Sequence, residues 1–352
     1  MQEFTVNLRT LTPLWTGDAW RNNNIRPSAI MGNLRFWFET ICFFSGIVDK
    51  ADYHDGILVD KFDYKTYQKA LACNGLSFKT LNELFNSMKI PIPSRIFGMT
   101  YFKSKINIKK IEFDKNNFSD NPKGKIINGK NWYWKSPSYQ GEFSVTFEVQ
   151  NDIVESIFYP LLNFMDQYGF WGGGWNIGYG RLKIDGINGS NDEWKKDIFE
   201  FSKFNKSYSD KKISDIVIYK DIKSEDKQIE NLLQQFVDFD ISSSKNICYE
   251  DMIKKIPKKI IVIKTNHNKE GNTNEVFETI KELIQKKAEM RSILRSSNKD
   301  FFKKLRHSLF GKSGEEGSKI LPWINKEGNE YVGGLMSIGG LIKLKKEERN
   351  NG

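Results

Sequence analysis

The chain opens on alternation. Phe4, Val6 and Leu8 are separated by polar residues, the period of a half-buried strand. A polar, tryptophan-containing stretch covers residues 12–24. Pro27 then stands where a first helical residue belongs, because the N–H it lacks would have no intrahelical partner there. Behind it Ile30, Leu34, Trp37, Phe38 and Ile41 recur at helical spacing and predict a helix with one buried stripe. Residues 49–93 are mixed in pattern and read as an insertion with a short helix near 81–88. Ile106, Ile108 and Ile111 mark a strand, and the clean alternation of Phe143, Val145, Phe147 and Val149 marks another. Helical periodicity runs over 153–168 with a break at Pro160, and a short strand lies at 182–184. Strand, helix, strand, strand, helix, strand is the order of the split βαβ, ferredoxin-like unit.

Past residue 190 the composition shifts toward Lys, Ser, Asp and Asn. Ile260, Ile261, Val262 and Ile263 form a short buried strand, residues 274–294 and 299–309 read as helices, and 319–324 reads as a strand. Phe97-Gly98 and Phe310-Gly311 each stand ahead of strand-like sequence, so the second half is expected to repeat the first with added segments. The expected class is α+β with two domains, over 1–190 and 191–352. Residues 115–130 are polar and expected as a loop, and the charged tail 343–352 is expected to fray.

Charge and aromatic content add a partner class. Lys+Arg number 54 against Asp+Glu 44 in 352 residues, a net charge of +10, and 14% of the chain is aromatic with 9 Trp. Phosphates attract cations and unstacked bases attract flat faces, so this composition favours a single-stranded nucleic-acid partner. The longest apolar run, 36–48, is broken by Glu39 and too short to span a bilayer. Residues 1–10 have no apolar core, so no signal peptide and no membrane partner are expected. Cys42, Cys73 and Cys248 make no CxxC pair, which points to a reducing cytoplasm and away from zinc.

The strongest local motif is WGGGWNIGYGR at 171–181. Five glycines cost backbone entropy, and their use would be access: N–H groups around Gly173 and Gly178 could hold a phosphate or 2′-OH. The spacing fails GxGxxG, and the segment leads from helix to strand, the reverse of a dinucleotide-binding turn. On the first helix Ser28, Gly32, Arg35 and Glu39 fall on one face, a donor, a gap and a cation in line. Across these segments Arg21, Arg26, Arg35 and Arg181 are expected to neutralise phosphates. Trp15, Trp20, Trp175 and Tyr179 are expected to stack bases, beside Ser28, Gly32 and Asn176. Gly311-Lys312-Ser313 mimics the end of a Walker A loop, but Arg306 occupies the place of its first glycine. His54-Asp55 lacks the further ligands of a metal-dependent phosphohydrolase, so no metal and no cofactor are expected. Asp18 sits in a turn, where it could hold a metal or orient a 2′-OH, though an Asp so placed more often only bonds the backbone.

LTPLWTG at 11–17 followed by IRPSAIMGNLRFWFE at 25–39 resembles the N-terminal signature of the RAMP superfamily. Within it the chain is most similar to the first RAMP subunit of the type III-B CRISPR (Cmr) effector complex. Arg95-Ile96-Phe97-Gly98 resembles that family's Phe-Gly hairpin, and residues 171–181 its glycine-rich loop. The resemblance implies two ferredoxin-like (RRM-like) domains and a non-catalytic subunit in antiviral defence. It implies guide RNA and target RNA as ligands, near the 3′ end of the guide. The implied protein partners are other RAMP subunits and the large polymerase-like subunit, with no direct DNA contact. Two other readings compete. One is a guide-processing endoribonuclease of the same superfamily with His54 or His307 as base, although no His lies within the matched signature. The other is a scaffold that contacts proteins only.

Overall fold

The computed structural model describes residues 1–344 except 18–22, 55–56, 60, 75–76, 120–124, 127–129, 132–136, 189–191, 223–227, 240–247, 268–272, 297–299, 313–314 and 329. Trp20, Arg21, Asp18, much of the 115–130 loop and the end of the tail therefore lie outside the described residues.

The first half is built from β1 (Gln2–Thr10), α1 (Pro27–Phe44), α2 (Tyr64–Asn74), α3 (Phe78–Ser87), α4 (Ile92–Phe97), β2 (Ile106–Phe113), β3 (Glu142–Val149), α5 (Tyr159–Gln167) and β4 (Leu182–Asn188). Its sheet runs β4-β1-β3-β2 with every neighbouring pair antiparallel. Fourth, first, third, second is the ferredoxin-like order, as the sequence pattern predicts. The register explains the alternation. Phe4 lies opposite Phe147, Val6 opposite Val145 and Leu8 opposite Phe143, all buried on one face. In the same cluster are Ile30, Leu34, Trp37, Phe38 and Ile41 of α1 with Leu161, Leu162, Phe164 and Met165 of α5. Pro160 stands at the start of α5, which a π-helical turn over Val154–Phe158 precedes. The insertion holds two helices, α2 and α3, and the start of α4, where sequence pattern predicts one.

The other face of this sheet is polar. Thr5 and Thr146 share a hydroxyl hydrogen bond of 3.1 Å, Lys109 pairs with Glu3 and Glu148, and Arg9 reaches Asp185 at 2.6 Å. The outward positions of β1 and β3 are Glu3, Thr5, Asn7, Arg9, Glu142, Ser144, Thr146 and Glu148. None is aromatic, so this face lacks the stacking platform by which an RRM sheet holds bases.

The second half comprises β5 (Val217–Asp221), α6 (Ile229–Gln234), α7 (Tyr249–Lys255), β6 (Ile260–His267), α8 (Thr273–Ser296), α9 (Asp300–Phe310), β7 (Ile320–Glu327) and β8 (Glu330–Ser337). Its sheet runs β5-β6-β8-β7. Strand, helices, strand, strand with order first-third-second repeats three strands of the ferredoxin-like plan. The fourth place differs from expectation: β5 fills it, arrives before β6 and runs parallel to it. After β8 the described chain turns into a short 3-10 helix, Gly339–Leu344, and supplies no further strand.

Both halves share one turn in detail. Phe97-Gly98 is followed by Ser104-Lys105-Ile106, and Phe310-Gly311 by Ser318-Lys319-Ile320. Gly98 has φ +86° and Gly311 φ +81°, and a Cβ at either would strike the backbone of the returning chain. Lys105 N–H donates to Ile96 O at 2.8 Å and Lys319 N–H to Leu309 O at 2.7 Å. The Ser104 hydroxyl donates to Ile106 O at 2.6 Å and the Ser318 hydroxyl to Ile320 O at 2.7 Å. This is the loop that ends a helix and starts the second strand of each unit.

Candidate nucleic-acid interface

The glycine-rich segment and α1 lie side by side. Asn33 of α1 accepts from the Gly172 N–H and donates back to the Gly172 carbonyl at 3.1 Å. Phe36 meets the Trp175 ring at 5.2 Å, and Trp37 stacks on it at 5.6 Å. One turn back from Phe36, Gly32 is exposed, and among the described residues a Cβ there would meet nothing within 4 Å. Ser28 and Asn176 are also exposed. Half-buried Arg26 begins the helix, its N–H donating to the Thr16 hydroxyl at 3.3 Å. Ser28 and Gly32 thus lie on an exposed side of α1, Arg26 stands at its start, and exposed Asn176 follows Trp175, whose ring packs on Phe36 and Trp37 of the same helix. Arg35, half-buried on the same helix, has a local job: Nε donates to Glu39 at 2.8 Å and Nη1 to the Gly98 carbonyl at 3.1 Å.

The rest of the segment is a joint between the two halves, and here the sequence-based expectations need correcting. Arg181 is fully buried. Its guanidinium donates to the carbonyls of Met165 at 3.3 Å, Asp166 at 2.9 Å, Gln167 at 2.9 Å and Gly169 around the end of α5, and to Ile324 of β7 at 2.9 Å. Carbonyls at a helix end are short of intrahelical donors, so Arg181 adds to them, sharing Met165 with the Gly169 N–H and Gln167 with the Trp323 indole, and ties α5 to the second sheet. Burial lowers its pKa to about 10. A side chain so enclosed reaches no phosphate. Tyr179 is equally buried and offers no face to a base, and Gly178 packs against Pro322 and Ile280 of the second half. The N–H groups are engaged too: Gly173 donates to Trp15 O at 2.7 Å, Gly178 to Trp175 O at 2.9 Å and Gly180 to Pro13 O at 2.9 Å. The glycines serve close packing. A Cβ on Gly172 would come within 2.3 Å of the Trp15 carbonyl oxygen, and one on Gly180 within 1.9 Å of the Trp171 carbonyl oxygen. Trp15 lies over Gly173 and is half-buried against the second core. Trp175 is half-buried, with Trp37 on one side of its ring.

Pattern reading missed a cation beside the glycine-rich segment. Lys287 of α8 is buried and donates from Nζ to the Asn176 carbonyl at 3.0 Å. Burial, aided by Arg291, lowers its pKa to about 7. The signal was present in the basic spacing Lys287, Arg291, Arg295 along the helix expected at 274–294 and just past its end.

Of the candidate bases, His54 is exposed in a two-residue hairpin strand and His307 lies on α9 beside Arg306, ring nitrogen to guanidinium 3.4 Å. Among the described residues there is no group of three or more His, Cys, Asp or Glu that could hold a metal ion. Among them no helix is long and apolar enough to cross a membrane.

Comparison with known proteins gives a family. The chain is similar to Cmr1 from Pyrococcus furiosus, with 13% identity, 96% of this chain and 88% of that chain covered, and a TM-score of 0.38. It is also similar to a chain of the type III-B Cmr-beta complex bound to cognate target RNA and AMPPnP, with 11% identity, 97% of both chains covered and a TM-score of 0.43. A further Cmr-beta chain, from the complex bound to cognate target RNA, gives 12% identity, 97% and 98% coverage and 0.39. No curated protein matches the sequence. The decisive match is in sequence: a family model for the RAMP superfamily matches residues 7–183, from β1 through the glycine-rich segment into β4, half of the chain. With the ferredoxin-like sheet, the Phe-Gly turn and that segment in place, the chain belongs to the RAMP superfamily.

Proposed function

We propose that this RAMP protein is a non-catalytic RNA-binding subunit of a type III-B CRISPR (Cmr) effector, near the 3′ end of the guide RNA, where it helps capture target RNA in antiviral defence. The N-terminal signature at 11–17 and 25–39 supports that subunit over other members of the superfamily. Its partners are guide and target RNA, the neighbouring RAMP subunits and the large polymerase-like subunit, in the cytoplasm, with residues 1–190 and 191–352 as its two units. One observation supports the RNA reading: Ser28 and Gly32 are exposed on α1, which Arg26 begins, and among the described residues nothing lies within 4 Å of a Cβ at Gly32, so a sugar-phosphate strand can approach the helix closely.

The test uses that opening. Gly32→Gln places a side chain in empty space and removes a mid-helix glycine, so stability holds or rises by about 0.5–1 kcal/mol. Affinity for a fluorescein-labelled single-stranded RNA, alone and in the assembled complex, should nevertheless fall. Unchanged affinity would remove this surface from RNA binding. Incubation of the wild type with repeat RNA in EDTA should leave the RNA whole. A discrete cut, lost in His54→Ala or His307→Ala, would replace the reading with the endoribonuclease one.

A further inference from the structure

Helices α8 and α9 carry cations that no motif predicted. Lys287, Arg291 and Arg295 recur every four residues on α8, about 6 Å apart along the axis. At roughly 100° per residue, Glu278, Glu282 and Glu289 fall on the other side of that helix. On α9, Lys303, Arg306 and His307 share one face. Arg291, Arg295 and Lys303 are exposed and Arg306 is half-buried. Among the described residues none of the three arginines makes an ion pair, and Lys312, which follows α9, is paired with Glu315. The cations feel one another. Burial, Arg306 and Arg295 depress the Arg291 pKa, and burial, Arg306, Arg291, Lys312 and Lys303 depress that of His307. Like charges gathered on two packed helices, with Glu278, Glu282 and Glu289 on the far side of α8, are a standing repulsion that a bound polyanion would relieve.

The row also has a direction. Its first member, Lys287, touches the Asn176 carbonyl, and Asn176 follows Trp175, whose ring packs on Phe36 and Trp37 of α1. We infer that the basic face of α8 and α9 is a second contact for the phosphodiester backbone of single-stranded RNA, continuous with the α1 surface across Asn176. The inference rests on the RNA-binding reading and extends it to the second half of the chain. A line of separated cations suits a linear polyanion, whose charges also come in a row, better than the scattered carboxylates of a protein surface.

The test compares two triple variants of the full chain, each losing three positive charges. One is Arg291→Gln, Arg295→Gln and Arg306→Gln. The control is Lys65→Gln, Lys69→Gln and Lys79→Gln, at exposed sites on α2 and α3. Binding of a fluorescein-labelled uridine homopolymer is titrated across salt concentrations, with circular dichroism to confirm folding. If each arginine meets one phosphate, the arginine variant loses on the order of 100-fold in affinity at about 0.1 M salt, and its log–log salt slope is shallower by about 2. The control keeps the wild-type slope. Equal behaviour of the two variants overturns the inference while wild-type binding leaves the RNA reading standing. Loss of a co-purifying subunit without loss of RNA affinity also overturns it, by showing a protein-binding face. Absence of RNA binding by the wild type, alone and in the complex, sinks both.

Discussion

Arg181 donates to five main-chain carbonyls inside the joint, whereas Arg291 and Arg295 on α8 are exposed and lie near half-buried Arg306 on α9. The side chain is the same and the physics is opposite. Enclosed by carbonyls, a guanidinium is a strut: its charge is compensated by fixed dipoles, and removing it takes the donor from carbonyls such as those of Asp166 and Ile324. Crowded by other cations at the surface, it adds little to stability and is ready for an anion from outside. An arginine beside glycines in sequence therefore reads as a phosphate ligand and proves structural, while arginines inside an unremarked helix form the free cationic face.

Four measurements press on that contrast, the largest effect first. Arg181→Met should cost about 3–5 kcal/mol in urea denaturation, because it orphans buried carbonyls at the end of α5 and on β7. A change within about 0.5 kcal/mol would make the strut ornamental. Gly180→Ala follows, at a φ of +85° and with no room beside Trp171 O, and should cost at least about 2 kcal/mol. The paired turns give a smaller, matched effect: Gly98→Ala and Gly311→Ala should each cost about 1–3 kcal/mol. A large loss at one and none at the other would show that the two halves do not use the turn alike. Arg291→Gln and Arg306→Gln should move stability by no more than about 0.5 kcal/mol, upward at low salt as repulsion is relieved.

Lys287 stands between the two cases, buried like Arg181 yet part of the basic row. Its folded-state pKa, about 7, lies below the ordinary 10.5. Between those values the unfolded chain binds the extra proton, so this group makes stability rise with pH across that window and penalises the fold below it. Lys287→Met should therefore be most favourable relative to wild type near about pH 6 and lose its advantage by about pH 10, read from urea midpoints at each pH. An advantage independent of pH would mean that the ammonium is solvated where it stands.

The first sheet was legible because its information is local. Phe4, Val6 and Leu8 pair with Phe147, Val145 and Phe143, and both alternations can be seen without knowing the partner. Strand β5 was not legible, since Val217–Asp221 is short, partly polar and placed only by a parallel partner. The candidate site divides in the same way. Ser28 and Gly32 are exposed as the helical pattern implies, and Trp37 is core as its stripe implies. Burial of Arg181 and Tyr179 depends on β7 and α8, which reach them from far along the chain, and no window around residue 181 contains that information. The basic stripe of α8 was visible as spacing, but only the folded contact with Asn176 connects it to anything.

The bond from Arg181 to the Ile324 carbonyl spans 143 residues, and this has a consequence for how the chain matures on the ribosome. At about 5–20 residues per second, β7 is made on the order of ten seconds after Arg181. During that interval the first half carries an unfinished cationic socket at the foot of α5. A nascent chain halted before Ile324 should therefore stay open to protease at that helix end, and the ferredoxin-like half should lock only when translation delivers β7.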